Sequence, residues 1–447
     1  MDGFSPSSSN APADVAAEND DAMIEAYQRV RAATERLAAP LSAEDQVAQS
    51  MPDASPTKWH RAHTTWFFET FVLGPGAAGY APFHPAFAHL FNSYYVSVGT
   101  MHARPQRGLL TRPPLATINE YRRHVDAQVL ALLRGQTPLR QDGPSIDELR
   151  MRVEIGLHHE QQHQELILTD LKHLLSHNPI APVYREADRG RDEDDARVAP
   201  PLSWTPHAGG VHEIGFAGAG FHFDNEGPRH RVFLEPFELA SRLVSNSEYQ
   251  EFIADGGYRR PELWLSDGWA TVQREGWQAP LYWRPEGRVF TLAGERALAP
   301  AEPVCHVSYY EADAYARWAG ARLASEQEWE IMATRYGAAA QAEGAGVFAD
   351  DERYHPAPAS AAAADGPSQL LGDVWAWTAS AYMPYPNYRP LPGALGEYNG
   401  KFMCNQLVLR GGSCATPRDH IRATYRNFFY PASRWQFSGI RLARAAT

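Results

Sequence analysis

The stretch Leu157-His158-His159-Glu160-Gln161-Gln162-His163-Gln164-Glu165 decides how this chain is read. It sets two imidazoles, His159 and His163, four residues apart within a segment of helical patterning. Four residues is about one helical turn, so both rings leave the same face and can grip one metal ion. His159-Glu160-x-x-His163 also fits the H-E-x-x-H pattern of zinc proteases. The reading turns on which metal sits there and on what supplies the third ligand.

Working outward, four helical patterns fill the first 180 residues. Apolar residues recur at helical spacing over 21–38 (Ile24, Tyr27, Val30) and 115–134 (Ile118, Tyr121, Val125, Val129). A third segment, 57–73, carries Trp59, His63, Trp66, Phe67 and Phe71 before Gly74-Pro75-Gly76. The fourth opens on the capping box Ser145-x-x-Glu148 and runs to about Ser176, ahead of Asn178-Pro179. Residues 21–180 are therefore expected to form a four-helix bundle, a common frame for inward-facing metal ligands. Residues 1–20, rich in Ser, Ala, Asp and Pro, read as a disordered tail and not as a signal peptide.

Residues 181–202 read as a linker: Arg185 to Asp195 is a charged run, followed by Pro200-Pro201. From 203 to 447 short strand patterns alternate with turns, as at Val211–Gly215 and His230–Leu234. Helical pieces interrupt them at Ser247–Ala254 and Tyr309–Ala319. This half reads as an irregular, loop-rich α+β domain, and a chain of 447 residues accommodates two domains. The 12 Trp, 20 Tyr and 19 Phe suit such a fold and pockets for flat or cationic ligands. A formal charge of −12 argues against a nucleic-acid backbone as partner. Three cysteines without close spacing favour a reduced, cytoplasmic setting, and no run is apolar enough to span a bilayer.

The third ligand must come from another helix. His173 and His177 lie ~15 Å or more along the axis from the pair, and histidines in a last helical turn suit the helix dipole. His63 is the better offer, because Trp59, Trp66 and Phe67 put it on the core-facing side. His60 is expected to be exposed or to stand behind the ligands. Three neutral imidazoles leave the ion its full charge and open positions for a thiolate and dioxygen. Ligand type alone admits iron, zinc or copper. The zinc-protease alternative needs Glu160 as general base and leaves the second half of the chain unexplained.

At this point the chain resembles the non-haem iron sulfoxide synthases of ergothioneine biosynthesis. The resemblance rests on His63 with His159-x-x-x-His163-x-Glu165, on Ser55 to His60, and on Asn92-Ser93-Tyr94-Tyr95. In the second half it rests on Phe223-Asp224-Asn225-Glu226, Gly372 to Trp375, Gly396 to Met403, Arg410 to Cys414, Tyr425 to Phe429 and Arg434 to Gly439. It implies a DinB-like bundle followed by a domain like formylglycine-generating enzymes, of C-type-lectin type. The implied reaction joins hercynine (trimethylated histidine) to cysteine or γ-glutamylcysteine with dioxygen, forming a C–S bond at imidazole C2 and a sulfoxide.

The resemblance also implies roles. His63, His159 and His163 would hold Fe(II), and Gln162 would hydrogen-bond the substrate imidazole. One of Tyr94 and Tyr95 would deliver a proton, or a proton with an electron, to reactive oxygen. Asn427, Phe428 and Phe429 would receive the hercynine end, the rings holding its quaternary ammonium by cation–π attraction. Arg104 and Arg107 would take the thiol substrate's carboxylate.

Two scaffold motifs depart from the usual pattern: Ala376 stands where Glu is common, and Leu323-Ala324-Ser325-Glu326 replaces Leu-Pro-Thr-Glu. Competing readings are selenoneine synthesis from a selenosugar, ovothiol-type sulfoxide formation on free histidine, and formylglycine generation, which needs a close cysteine pair. A non-enzymatic thiol-binding module is a further one.

Overall fold

The computed structural model describes residues 11–186, 198–337, 344–360 and 366–446. Two units emerge: Met1–Ser93 with Gly99–Gln164, and Tyr94–Val98 with Glu165–Thr447. Residues 1–10 of the expected tail, and 187–197 of the expected linker, lie outside the described residues.

Four long helices build the first unit: α1 (Ala11–Ala38), α2 (Thr57–Phe68), α3 (Leu115–Leu133) and α4 (Ile146–Ser176), the last continuing into the second unit. The first starts ten residues before the expected position, so 11–20 are helix and not tail. The Ser145/Glu148 box forms as read: Ser145 N donates to the Glu148 carboxylate at 2.8 Å, and Glu148 N to Ser145 Oγ at 3.3 Å.

All twelve residues of α2 are buried, including Lys58, Arg61 and both histidines. A helix covered on every side must find partners for each polar group it carries. Lys58 Nζ donates to the carbonyls of Leu110 and Pro113, and Arg61 reaches Glu35, Gln46 and Asn119. Its last turn widens into a π-helical turn at Glu69–Leu73.

Helix α4 meets α2 at Gly156, where a Cβ would lie 2.5 Å from the Phe68 ring and 2.9 Å from Phe67. Glycine in mid-helix costs ~1 kcal/mol; here it permits the close approach. The rotation of α4 is fixed by Glu160, whose carboxylate is fully buried. It pairs with Arg31 at 2.7 Å and Arg122 at 3.0 Å, and accepts from Thr34 Oγ1 at 2.6 Å.

In the second unit, one antiparallel sheet orders its strands Trp204–His207, Phe237–Ala240, Leu442–Ala445, Arg322–Leu323. Another orders Asn427–Phe429, Leu407–Arg410, Trp375–Ala381, Ser438–Gly439, with only the last pairing parallel. The two strands expected near 211 and 230 pair antiparallel as Gly210–Ile214 and His230–Leu234. Trp329, Trp375 and Trp377 fill the core with Phe237 and Leu409.

A buried ion cluster ties the scaffold motifs together, with Arg410 and Arg426 both pairing with Glu326. Both departures from the usual pattern are absorbed. Ser325 caps its helix with Glu328 in a reciprocal box, and Ala376 is buried in its strand opposite Arg410.

Removing one member of a buried ion network strands the others in low dielectric, typically at ~3–5 kcal/mol. Glu160→Gln should lower the stability of the metal-free protein by about that much, read as a fall in urea midpoint. A solvent-facing catalytic base would show almost no change.

Candidate metal centre

His63, His159 and His163 converge. Their nearest ring nitrogens lie within 4.8 Å of one another, all three side chains are buried, and no other such group exists among the described residues. Ring centroids are 4.6–5.0 Å apart across the three pairs. Helix α4 supplies two rings one turn apart, and α2 supplies the third.

The His63 ring is sandwiched by its own helix: Trp59 stacks at 4.6 Å with planes 13° apart, and Trp66 at 5.5 Å and 15°. Its Nδ1 lies 2.5 Å from the Phe91 carbonyl oxygen. A carbonyl only accepts, so Nδ1 carries the proton and the lone pair resides on Nε2. That buried Nε2 has no hydrogen-bond partner among the described residues. An orphaned lone pair facing two further imidazoles is the expected arrangement of a metal ligand oriented from behind by a carbonyl.

His60 is not exposed. It is buried, and its Nδ1 sits 2.8 Å from His163 Nδ1. It therefore stands behind His163 as Phe91 stands behind His63. Burial keeps all three rings neutral: His63 and His163 fall well below the usual imidazole range, and His159 is pushed down to about 3 despite the opposing pull of Glu160. Neutral rings offer lone pairs without first losing protons.

Glu160 cannot serve as a protease base. Its oxygens are committed to Arg31, Arg122 and Thr34, with no exposed surface for a water. Glu165 is occupied too, accepting from Trp375 Nε1 at 2.8 Å, Ser413 Oγ at 2.6 Å and Thr416 Oγ1 at 2.7 Å.

The two arginines part company. Arg104 is exposed and donates to the Asp53 carbonyl at 2.5 Å. Arg107 is buried, 3.3 Å over the Trp59 ring, and donates to Ser55 Oγ and Ser93 Oγ. They do not form a joint fork. Arg107 alone lies close enough to the histidines to depress their basicity further, as a minor contribution behind burial. Gln162 is half-buried one residue before His163.

In the second unit an aromatic row brings together residues far apart in sequence. Tyr94 and Tyr95 lie with centroids 4.7 Å apart, Tyr94 meets Phe402 edge-on at 5.3 Å, and Phe402 stacks toward Phe428 at 5.9 Å. Tyr382 covers Phe428 at 4.1 Å with planes 9° apart. Phe429 packs against Trp435, and Asn427 Oδ1 accepts from Phe428 N. Tyr95 is buried, and that burial lifts its phenol well above the usual range. Phe402 and Tyr382 escaped the sequence reading. Phe402 stood inside the quoted Gly396–Met403 run, but nothing in that run singles it out.

Comparison with known proteins finds two family matches along the chain. Residues 26–167 match the DinB superfamily and 206–446 the sulfatase-modifying factor enzyme 1-like domain. Joined to the histidine group, these define a two-domain protein with a candidate metal centre. Hercynine oxygenase of Mycobacterium tuberculosis is 35% identical over 435 residues, covering 93% of this chain and 96% of that one. The Mycolicibacterium smegmatis hercynine oxygenase is 32% identical, covering 88% and 92%. Formylglycine-generating enzyme of Streptomyces coelicolor is 29% identical, over only 46% of this chain and 76% of its own. The chain belongs to the hercynine oxygenase family.

Because His159 titrates near 3 when folded but about 6.5 when unfolded, the unfolded state binds more protons between those values. Stability of the metal-free protein should therefore fall as pH drops from 6.5 toward 3, by up to ~1.4 kcal/mol per pH unit for each such ring. His159→Leu should flatten that slope in thermal melts, and bound metal should oppose the loss.

Proposed function

We propose that this protein is an iron(II)-dependent hercynine oxygenase that joins hercynine to a thiol, cysteine or γ-glutamylcysteine, and oxidises the new thioether to a sulfoxide. The observation that carries it is the trio of neutral histidines, with His63 Nε2 orphaned, in a chain that aligns along nearly its whole length with hercynine oxygenases. The balance is simple. The imidazole C2–H and the S–H are replaced by a C–S bond, sulfur gains one oxygen atom, and the second oxygen of O2 leaves as water.

Iron(II), when bound, supplies the one-electron chemistry with dioxygen that amino-acid side chains lack. His63, His159 and His163 hold it, oriented by the Phe91 carbonyl and by His60. Arg107 attracts the thiol substrate's carboxylate and favours the thiolate, with Arg104, held by the Asp53 carbonyl, as the second arginine of that role. Gln162 hydrogen-bonds the substrate imidazole. Asn427 and the faces of Phe428 and Phe429 receive the trimethylammonium end, worth roughly 0.5–2 kcal/mol per ring.

Tyr94 or Tyr95 delivers the proton that commits reactive oxygen to the sulfoxide. Burial lifts the Tyr95 phenol well above the usual range, so that phenol is protonated at working pH. Formylglycine-generating enzymes align with only part of this chain, whereas hercynine oxygenases align with nearly all of it, which favours the hercynine reading.

Iron-loaded protein given hercynine and oxygen with cysteine, γ-glutamylcysteine or a selenosugar, followed by mass spectrometry, identifies the donor; a hercynyl sulfoxide is expected with one of the two thiols. Oxygen uptake without any hercynyl product would refute the proposal. Replacing Tyr94 and Tyr95 together by Phe should divert turnover toward the sulfinate of the thiol. Arg107→Lys should raise KM for the thiol by about tenfold while leaving that for hercynine nearly unchanged.

A further inference from the structure

The segment Tyr94–Val98 groups with the second unit, although Ser93 before it and Gly99 after it group with the first. Residues 397–402 hold it there. The Glu397 carboxylate accepts from two consecutive backbone amides, Val96 N and Ser97 N, both at 2.9 Å, and from Ser97 Oγ. Lys401 donates to the Tyr94 carbonyl and, at 2.8 Å, back to Glu397. Tyr398 and Phe402 flank the Tyr94 ring at 5.7 and 5.3 Å. Four side chains of one short run thus enclose the tyrosine pair from backbone to ring.

That run is itself anchored. Asp224 accepts from Asn399 Nδ2 at 2.7 Å, from Tyr388 OH at 3.0 Å and from Leu391 N at 3.3 Å. The two residues after Asp224 hold neighbouring parts of the same unit. Asn225 donates to Tyr382 OH at 2.9 Å, beneath Phe428, and Glu226 pairs with Arg422. The motif Phe223-Asp224-Asn225-Glu226 thereby gains a purpose: it supports the run that grips the tyrosines and the ring that backs Phe428.

We propose that Glu397 is a positioning residue for the tyrosine pair, fixing the peptide that follows Tyr95 so that the phenols are held for proton delivery. The inference rests on the assignment of proton delivery to that pair. A proton donor misplaced by about 1 Å can lose ~100-fold in rate, and two adjacent amides on one carboxylate leave the backbone little room to turn. Partial desolvation works against the charge, but Lys401, Ser97 and the two amides outweigh it and hold the carboxyl at about 2, so the grip stays charged at every working pH. Glutamine in its place keeps the shape but turns one acceptor into a donor.

The test compares Glu397→Gln, Ser97→Ala and the Tyr94/Tyr95 double Phe variant in iron-loaded full-length protein. Two quantities are read: amide hydrogen exchange across 94–98, and the ratio of hercynyl sulfoxide to thiol sulfinate. Glu397→Gln should speed exchange in that segment and cut the ratio by about tenfold, the size of one lost charge-assisted hydrogen bond. Iron content and KM for both substrates should stay unchanged. Ser97→Ala, which keeps both amides, should move both readouts the same way by less, and it carries the test if Glu397→Gln does not fold. Unchanged exchange overturns the proposal. So does faster exchange with an unchanged ratio when the double Phe variant does shift it. A double Phe variant with an unchanged ratio overturns the tyrosine assignment itself, and the proposal with it.

Discussion

A single buried carboxylate sets the geometry of the first unit. Glu160 has no exposed surface, and an ionised group there is tolerable only with its charge met on the spot. Arg31 from α1 and Arg122 from α3 meet it. Helix α4 therefore has one permitted rotation. With Glu160 turned to the arginines, the residue before it and the residue three after it, His159 and His163, face α2. Gly156, one turn earlier, lets α4 approach until His159 lies 4.9 Å from Phe67. The network extends through Glu35, which pairs with both Arg122 and Arg61 of α2 at 2.5 Å. The helices that carry the three histidines are thus locked in phase by charges outside the histidine group.

The same carboxylate separates two chemistries that local sequence cannot tell apart. H-E-x-x-H is a helical spacing, and it says nothing about what lies on the far side of the helix. The partners of Glu160 stand 129 and 38 residues away, and such distances leave no trace in a periodicity. What was legible was local: the His159/His163 pair, the aromatic flanks that placed His63 inward, the Ser145 box and the strand patterns near 211 and 230. What was not legible was set by long-range packing. His60 reads from sequence as exposed or as standing behind the other histidines, and only the complete burial of α2 decides for the second. The helix over Ser266–Glu275 was missed because Gly268 falls within it, and the irregular setting of Trp and Gly masked its period.

Phe402 illustrates the limit from the other side. It belongs to a short 3-10 turn, Gly400–Phe402, too brief to carry a pattern. Its importance comes from touching Tyr94 at one edge and Phe428 at the other, contacts made across hundreds of residues on one side and two dozen on the other. Aromatic-rich, loop-dominated domains place their chemistry in this way. Their cores are fixed by ring-to-ring packing and by buried clusters such as Arg410 with Glu326 and Glu330. The surface runs are then held by individual polar contacts.

The distribution of charge gives the proposed reaction its logic. Three neutral imidazoles cancel none of an ion's two positive charges, and the Arg107 guanidinium adds a third nearby. Such a centre favours a thiolate and a carboxylate, the anionic groups of the sulfur donor, and repels a quaternary ammonium. Hercynine carries that ammonium, and the residues proposed to receive it, Phe428 and Phe429 with Asn427, bring no formal charge. Tyr382 covers one face of Phe428 at 4.1 Å, and Phe402 stacks toward the same ring at 5.9 Å. On the proposed assignments, the anionic donor would be drawn by cations and the cationic acceptor by ring faces. A free histidine would retain a protonatable amine that water solvates far better than a trimethylated one. An aromatic face repays that larger dehydration cost poorly, which favours hercynine over histidine as the acceptor of sulfur.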